Sequence, residues 1–168
     1  MNQKILFQET QRFNQWWVWP IHFLNIGMVV FFIYAVYVQI IKGQSIGSKP
    51  APDSVLMIAT IGALLLCLLF FSMKLQTAIS KDKISFRFTP FHLKEQEYLL
   101  SEIEKMEVII YSPIRDYGGW GIRGFGSNRA FNIKGNQGLL INFKDGKKRL
   151  IGTQKPKELQ KVIQQLEF

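Results

Sequence analysis

The sequence predicts a membrane α-helical hairpin, two transmembrane helices, joined to a mainly-β domain that is capped by one C-terminal helix. Three observations carry this prediction. Residues 16–41 (WWVWPIHFLNIGMVVFFIYAVYVQII) and 55–73 (VLMIATIGALLLCLLFFSM) contain no Lys, Arg, Asp or Glu, and about 20 apolar residues cross a hydrocarbon core as a helix. Downstream, apolar residues recur with a period of two, the pattern of half-buried strands. Near the end, Leu159, Val162, Ile163 and Leu166 have the i, i+3, i+4, i+7 spacing of one apolar helix face.

These features divide the 168 residues into an N-terminal segment (1–15), a membrane region (16–74) with helices at about 17–41 and 54–74, and a domain at 75–168. The first apolar run exceeds the roughly 7–15 residues of a signal-peptide core, and no small-x-small cleavage site comes after it, so a retained anchor is expected. Cys67 is the single cysteine. It cannot form an internal disulfide, and in the second run it reads as a small apolar residue.

Lys and Arg orient the hairpin. Lys4 and Arg12 precede the first run, and Lys74, Lys81, Lys83 and Arg87 come after the second. Only Lys42 and Lys49 lie in the connecting loop, with Gly43, Gly47, Pro50 and Pro52. Cytoplasmic flanks carry the excess of positive side chains, so both termini are expected in the cytoplasm and the loop outside. Asp53 suits the entry to the second helix. Trp16, Trp17 and Trp19 match the aromatic belt of a membrane interface and are read as anchors. His22 and Asn25 share a helix face one turn further in, where headgroups or the second helix would satisfy them.

Strands are expected in the domain. In KISFRFTPF, Ile84, Phe86 and Phe88 alternate with Ser85, Arg87 and Thr89. Met106, Val108 and Ile110 alternate after a charged lead-in, and Phe131 and Ile133 share a face. GLLINFKDGKKRLIGT reads as a hairpin with Leu139, Ile141 and Phe143 on one face and Asp145-Gly146 at the turn. Pro156 suits a first helical turn. The strands are expected to be antiparallel, with the helix packed on one open end of a small barrel, where its apolar face would be buried.

Gly119-Trp120-Gly121-Ile122-Arg123-Gly124 matches G-x-G-x-x-G. A dinucleotide site needs a helix opening on the third glycine, so that its N-terminus meets the pyrophosphate. The segment after Gly124, FGSNRAFNIKGNQG, alternates as a strand does. Nucleotide binding is therefore not expected. Gly118, Gly119, Gly121, Gly124 and Gly126 instead permit bends, bulges or close backbone approach, with Trp120 and Phe125 covering a barrel end or meeting the membrane interface.

The layout resembles the bacterial pleckstrin-homology-like domains of small two-span membrane proteins. The resemblance rests on Leu150, Ile151, Gly152, Thr153, Pro156, Glu158 and Leu159 in LIGTQKPKEL, where a last strand runs into a capping helix, and on GGWGIR at 118–123. It implies a seven-stranded, partly open barrel with one capping helix, in the bacterial cytoplasmic membrane. It implies no catalytic residues and no cofactor.

Catalytic chemistry is not expected from the residues either. His22 lies in an apolar run, His92 lacks a nucleophile-elbow sequence, and one cysteine without H-x-x-x-H offers no metal ligands at site spacing. Glu102, Glu104 and Glu107 beside Lys105 read as a solvated edge. From Lys74 onward there are 17 Lys or Arg against 10 acidic residues. Lys144, Lys147, Lys148 and Arg149, with Arg123 and Trp120, form the candidate contact for anionic headgroups or a partner. A basic residue near an anionic membrane contributes about 1 kcal/mol. Nucleic acid is ranked lower for want of a stacking platform or recognition helix. The function expected is a membrane-anchored, non-enzymatic module that binds a protein partner, itself or anionic headgroups. A transport or channel subunit is the alternative.

Overall fold

A computed structural model describes residues 4–166, apart from the side chain of Trp17. The chain divides into two compact units. Residues 14–72 form a helical unit, and the segments on either side of it form one sheet-rich unit.

In the helical unit, a short 3-10 turn (Trp16–Val18) leads into α1 (Trp19–Val36), which continues as a wide turn through Ile41. Helix α2 spans Asp53–Ser72. The two apolar helices, 23 and 20 residues long, rise about 1.5 Å per residue and so reach about 30 Å or more. They pack on each other mostly through small or polar positions. His22, Asn25 and Ala35 are buried on α1, and Leu56 and Ala63 on α2. The other faces leave Phe23, Leu24, Ile58, Leu65 and Leu68 exposed. A helix that is apolar all round needs an apolar surrounding.

The imidazole of His22 stacks on Phe71, with ring centroids 4.6 Å apart, and Asn25 donates to the Ile21 carbonyl at 3.1 Å. Gln39 donates to the Ala51 carbonyl and to Asp53 Oδ1, both at 2.7 Å, which ties the end of the first helix to the start of the second. Trp16 and Trp19 are exposed.

The sheet-rich unit contains β1 (Ile5–Arg12), β2 (Lys74–Ser80), β3 (Lys83–Thr89), β4 (Gln96–Leu99), β5 (Ile103–Ile110), the short helix α3 (Pro113–Tyr117), β6 (Gly121–Phe125), β7 (Asn128–Asn132), β8 (Gln137–Phe143), β9 (Lys148–Gly152) and α4 (Pro156–Gln165). Two sheets form, ordered β1-β2-β3-β4 and β5-β8-β9-β7-β6. The expected seven-stranded, partly open barrel is thus corrected to two separate sheets, of four and five strands among the described residues. The all-antiparallel expectation also fails at one place, because β7 and β9 pair in parallel. Strand β8 forms its hairpin with β9 and places β9 between itself and β7.

The predicted strand faces at Ile84, Phe86 and Phe88, at Phe131 and Ile133, and at Leu139, Ile141 and Phe143 are all buried. Residues from both sheets and Leu159, Val162 and Ile163 of α4 enter one core. The capping role of α4 is therefore realised without a closed barrel. Strand β5 departs from its expected alternation. A bulge between Ile103 and Lys105 shifts the register, so Ile103 and Met106 point inward. Ile110, expected on the inner face, is 75% exposed opposite Gln137 at the end of the ladder.

Strand β1 lies before the helices in sequence but pairs with β2, which comes after them. Arg12 is opposite Lys74 and Thr10 opposite Gln76. The N-terminal segment therefore contributes a strand to the sheet unit, and the helical unit is an insertion between two paired strands.

Candidate functional site

The glycine-rich stretch folds as a turn and then an edge strand. Ser112 caps α3 by accepting from the Arg115 amide, and Gly118 ends the helix in the left-handed region at φ 72°. Strand β6 starts at Gly121 and, among the described residues, pairs only with β7. No helix opens after Gly124, in line with the expectation that the G-x-G-x-x-G match is not a dinucleotide loop. Gly124 has a positive φ, and a Cβ there would lie 2.2 Å from the Asn128 carbonyl oxygen. That approach closes the β6–β7 hairpin.

A polar network fixes the entry to this hairpin. Asn132 is fully buried. Its Oδ1 accepts from the Gly121 amide at 2.9 Å, and its Nδ2 donates to the Tyr111 hydroxyl at 3.0 Å. Trp120 Nε1 donates to the Gly135 carbonyl at 3.2 Å, so this indole is half-buried in a structural contact. Arg123 Nε donates to the Trp120 carbonyl at 2.9 Å. Phe125, at the end of β6, is 95% exposed.

The basic residues predicted as one patch fall into two groups. Around the β8–β9 turn, Lys144 donates to the Ser101 carbonyl at 2.7 Å and Lys147 pairs with Asp145 at 2.5 Å. The Asp145 carboxyl is held below its ordinary range, first by its hydrogen bond from the Lys147 side chain. Lys148 keeps an exposed side chain. A groove of about 260 Å³ beside this turn is lined by Lys147 and Lys148 but also by Glu104, so its charge is mixed.

Arg149 belongs to the second group. It donates to the carbonyl of Ser127, in the β6–β7 turn, at 2.9 Å, and it is the register neighbour of Arg129 on β7. Arg129 lies over the Phe131 ring, 5.3 Å from its centroid. Arg123 and Arg129 line one open cleft of about 610 Å³, together with Tyr117, Ile122, Phe125 and the backbone of three glycines. No carboxylate lines this cleft among the described residues, and no ion pair engages Arg123, Arg129 or Arg149 among them. The sequence does not single out Arg129 as a contact residue. Its strand position says nothing of the cleft, which exists only once β6 folds back on β7.

His92 sits beside the same arginine. Its ring packs edge-on against Phe86 and Phe131, with centroids 5.6 and 5.5 Å away. Its Nδ1 accepts from the Phe88 amide at 3.3 Å. Burial first, and then the Arg129 charge, hold its pKa below the ordinary 6.5. Tyr98 lies nearby. Burial raises its pKa above 10.0, opposed by the hydrogen bond and charge of Arg149. No group of three or more His, Cys, Asp or Glu placed to hold a metal ion occurs among the described residues.

The signature LIGTQKPKEL serves the fold. Gly152 lies close to Asn132, where a Cβ would come within 3.0 Å of the Asn132 side chain. The Thr153 hydroxyl donates to the buried Glu9 carboxylate at 2.7 Å, and Glu9 also accepts from the Gln154 amide at 2.7 Å. Gln11 donates to the Gly152 carbonyl at 2.6 Å. These bonds dock β1 onto the junction of β9 and α4. The sequence matches no protein-family model and no curated protein.

Proposed function

We propose that this chain is a membrane-anchored, non-enzymatic binding module with a pleckstrin-homology-like sheet unit on the cytoplasmic side. The observation that supports it best is the insertion of two long apolar helices between the paired strands β1 and β2. Arg12 and Lys74 are opposite each other in one ladder. A chain that leaves the sheet at residue 13 and re-enters at residue 73 must cross a membrane an even number of times, and two helices supply two crossings. The Lys and Arg excess beside Arg12 and Lys74 argues for the cytoplasm on that side. Trp16 and Trp19 would anchor the first helix at the interface.

In this reading the sheet unit is held next to anionic headgroups, and its basic surface binds them or an acidic partner. The alternative of a transport subunit finds support only at His22 and Asn25, whose Nδ1 and Oδ1 are buried without a hydrogen-bond partner among the described residues. Gln39 is engaged with the loop, and the Thr60 and Ser72 hydroxyls donate to carbonyls of their own helix, Leu56 and Leu69, at 2.8 Å. These groups are satisfied locally, as is common for hydroxyls in apolar helices.

Cysteine labelling in intact cells tests the arrangement. In a Cys67→Ser background, Ser45→Cys in the loop is expected to react with a membrane-impermeant maleimide. Glu95→Cys in the sheet unit is expected to react only after permeabilisation. Labelling in the opposite order, or release of the chain from membranes by alkaline carbonate, would overturn the proposal.

A further inference from the structure

We infer that Glu9, Gln11 and Thr77 form a binding site for a monovalent metal cation, sodium or potassium, on the inner face of β1 and β2. The inference goes beyond the binding role proposed above and does not depend on it.

The first ground is a buried carboxylate without a counter-charge. Glu9 is almost fully buried, and no ion pair engages it among the described residues. Its two oxygens accept from neutral donors, the Thr153 hydroxyl and the Gln154 amide. Lys155, the next residue along, directs its Nζ to Glu158 at 3.3 Å. Taking an isolated charge out of water is costly, so buried charges are paired or coordinate metal ions.

The second ground is a pair of orphaned oxygens beside that carboxylate. Gln11 Oε1 and Thr77 Oγ1 are buried without a hydrogen-bond partner among the described residues, on residues only 4% and 5% exposed. The orientation of the Gln11 amide is fixed at its other end, where Nε2 donates to the Gly152 carbonyl at 2.6 Å. Oε1 is therefore an acceptor facing away from that bond with nothing to accept from. Buried polar atoms left in this state cost free energy until something fills their lone pairs.

The third ground is convergence. Phe7, Glu9 and Gln11 are the inward positions of β1, and Thr77 is the register partner of Glu9 on β2. Directly opposed residues of an antiparallel pair have Cβ atoms about 4.5–5.5 Å apart, and diagonal ones about 7–8 Å, within reach of long side chains. Glu9 and Gln11 also bond to one short segment, Gly152–Gln154. A carboxylate, an amide oxygen and a hydroxyl thus gather where β1 and β2 meet the joint of β9 and α4.

Oxygen donors select a hard cation, and charge selects its valence. A single carboxylate neutralises one positive charge, whereas a divalent ion would leave net positive charge buried. A water molecule would donate to both orphaned oxygens but leave the Glu9 charge uncompensated. A bound cation ties the strand that precedes the apolar helices to the far end of the chain.

The test uses the full chain in nonionic detergent micelles and hydrogen–deuterium exchange read by mass spectrometry. Sodium chloride, potassium chloride and choline chloride are compared at a constant ionic strength of about 0.15 M. A cation that binds only the closed state slows exchange through local opening, by mass action. Exchange in β1 and in residues 152–155 is expected to be about fivefold or more slower in at least one metal salt than in choline chloride, and to saturate as that salt replaces choline. Glu9→Gln removes the charge and Thr77→Val the hydroxyl, and each should lose the response. Thr77→Ser restores the hydroxyl and should keep it. Thr89→Val deletes another buried, unpartnered hydroxyl, at an outward position of β3, and should respond as the parent does. If Glu9→Gln fails to fold, the Thr77 pair decides.

Equal exchange of the parent in all three salts would overturn the inference and leave the oxygens to water. So would a parent-like response in Thr77→Val, or an equal loss in Thr89→Val. Slowing by calcium chloride alone would overturn the monovalent assignment.

Discussion

The Thr153 hydroxyl donates to the Glu9 carboxylate at 2.7 Å, which joins residues 144 positions apart in sequence. Glu9 is only 6% exposed, and its second oxygen accepts from the Gln154 amide. One carboxylate thus satisfies two donors at the start of α4 and pins β1 to the far end of the chain. Glu9→Ala strands both donors, and a buried unsatisfied group costs about 1–3 kcal/mol. A loss of that size should appear in chemical denaturation of the full chain in detergent. Thr153→Val should lose less in the Glu9→Ala background than alone, because the two residues share the interaction. Strictly additive losses would show that the contact carries no coupling energy.

The pairing of Arg12 with Lys74 leads to a second expectation. If residues 13–73 are replaced by Asn-Gly, a type I′ turn can join β1 to β2 directly. This spliced chain should be soluble without detergent and strand-rich by circular dichroism. A fragment starting at residue 75 should be far less stable, because it lacks Phe7, which is 2% exposed in the core, as well as the Glu9 and Gln11 bonds. Removal of a buried Phe side chain alone costs about 3–5 kcal/mol. Equal stability of the two chains, read from thermal unfolding, would contradict the role given to β1.

Sequence reveals structure where the apolar pattern is clean. The inward faces of β3 and β8 and the apolar face of α4 bury hydrocarbon at every inward position, so periodicity finds them, and the two helices stand out by length and lack of charge. Strand β1 is not legible because its inward positions run Phe7, Glu9 and Gln11. Two of the three are polar, since they meet the Gly152 carbonyl and the Thr153 hydroxyl rather than the core. The bulge at Ile103 hides the phase of β5. At the candidate site, Arg123 is visible as a charge beside glycines. That Arg129 also borders the cleft depends on how β6 folds back on β7, which local pattern does not encode. Arg149 reads as part of the β8–β9 turn, yet it reaches the Ser127 carbonyl of the neighbouring turn.

Gly124 should tolerate no side chain. Its φ of 76° is unfavourable for other residues, and an added Cβ would lie 2.2 Å from the Asn128 carbonyl oxygen. Backbone in that position cannot yield without opening the β6–β7 hairpin. Gly124→Ala is expected to destabilise by about 1–3 kcal/mol from the backbone conformation alone, with the clash in addition. Gly126→Ala has open space around its Cβ, so it should suffer only the conformational part. Equal behaviour of the two variants in thermal unfolding would remove the clash from the explanation.

His92 gives the sheet unit a defined pH response. Its Nδ1 accepts from the Phe88 amide, so the proton of the neutral ring is on Nε2. A second proton would have to displace that bond, and it would meet the positive charge of Arg129 in a half-buried site. Both effects agree with a pKa held below 6.5, by burial first and by Arg129 second. The unfolded chain therefore binds a proton more readily than the folded one as pH falls. The contribution of His92 to stability is complete above pH 6.5 and is lost as pH drops through the lower folded-state value. Unfolding midpoints should decline across that window, and His92→Gln should flatten the decline. Arg129→Gln removes the nearby charge, so the His92 pKa, read from its ring proton shifts, should rise toward 6.5 while burial still holds it below. A His92 titration that Arg129→Gln leaves unmoved would take the arginine out of the explanation and leave burial alone.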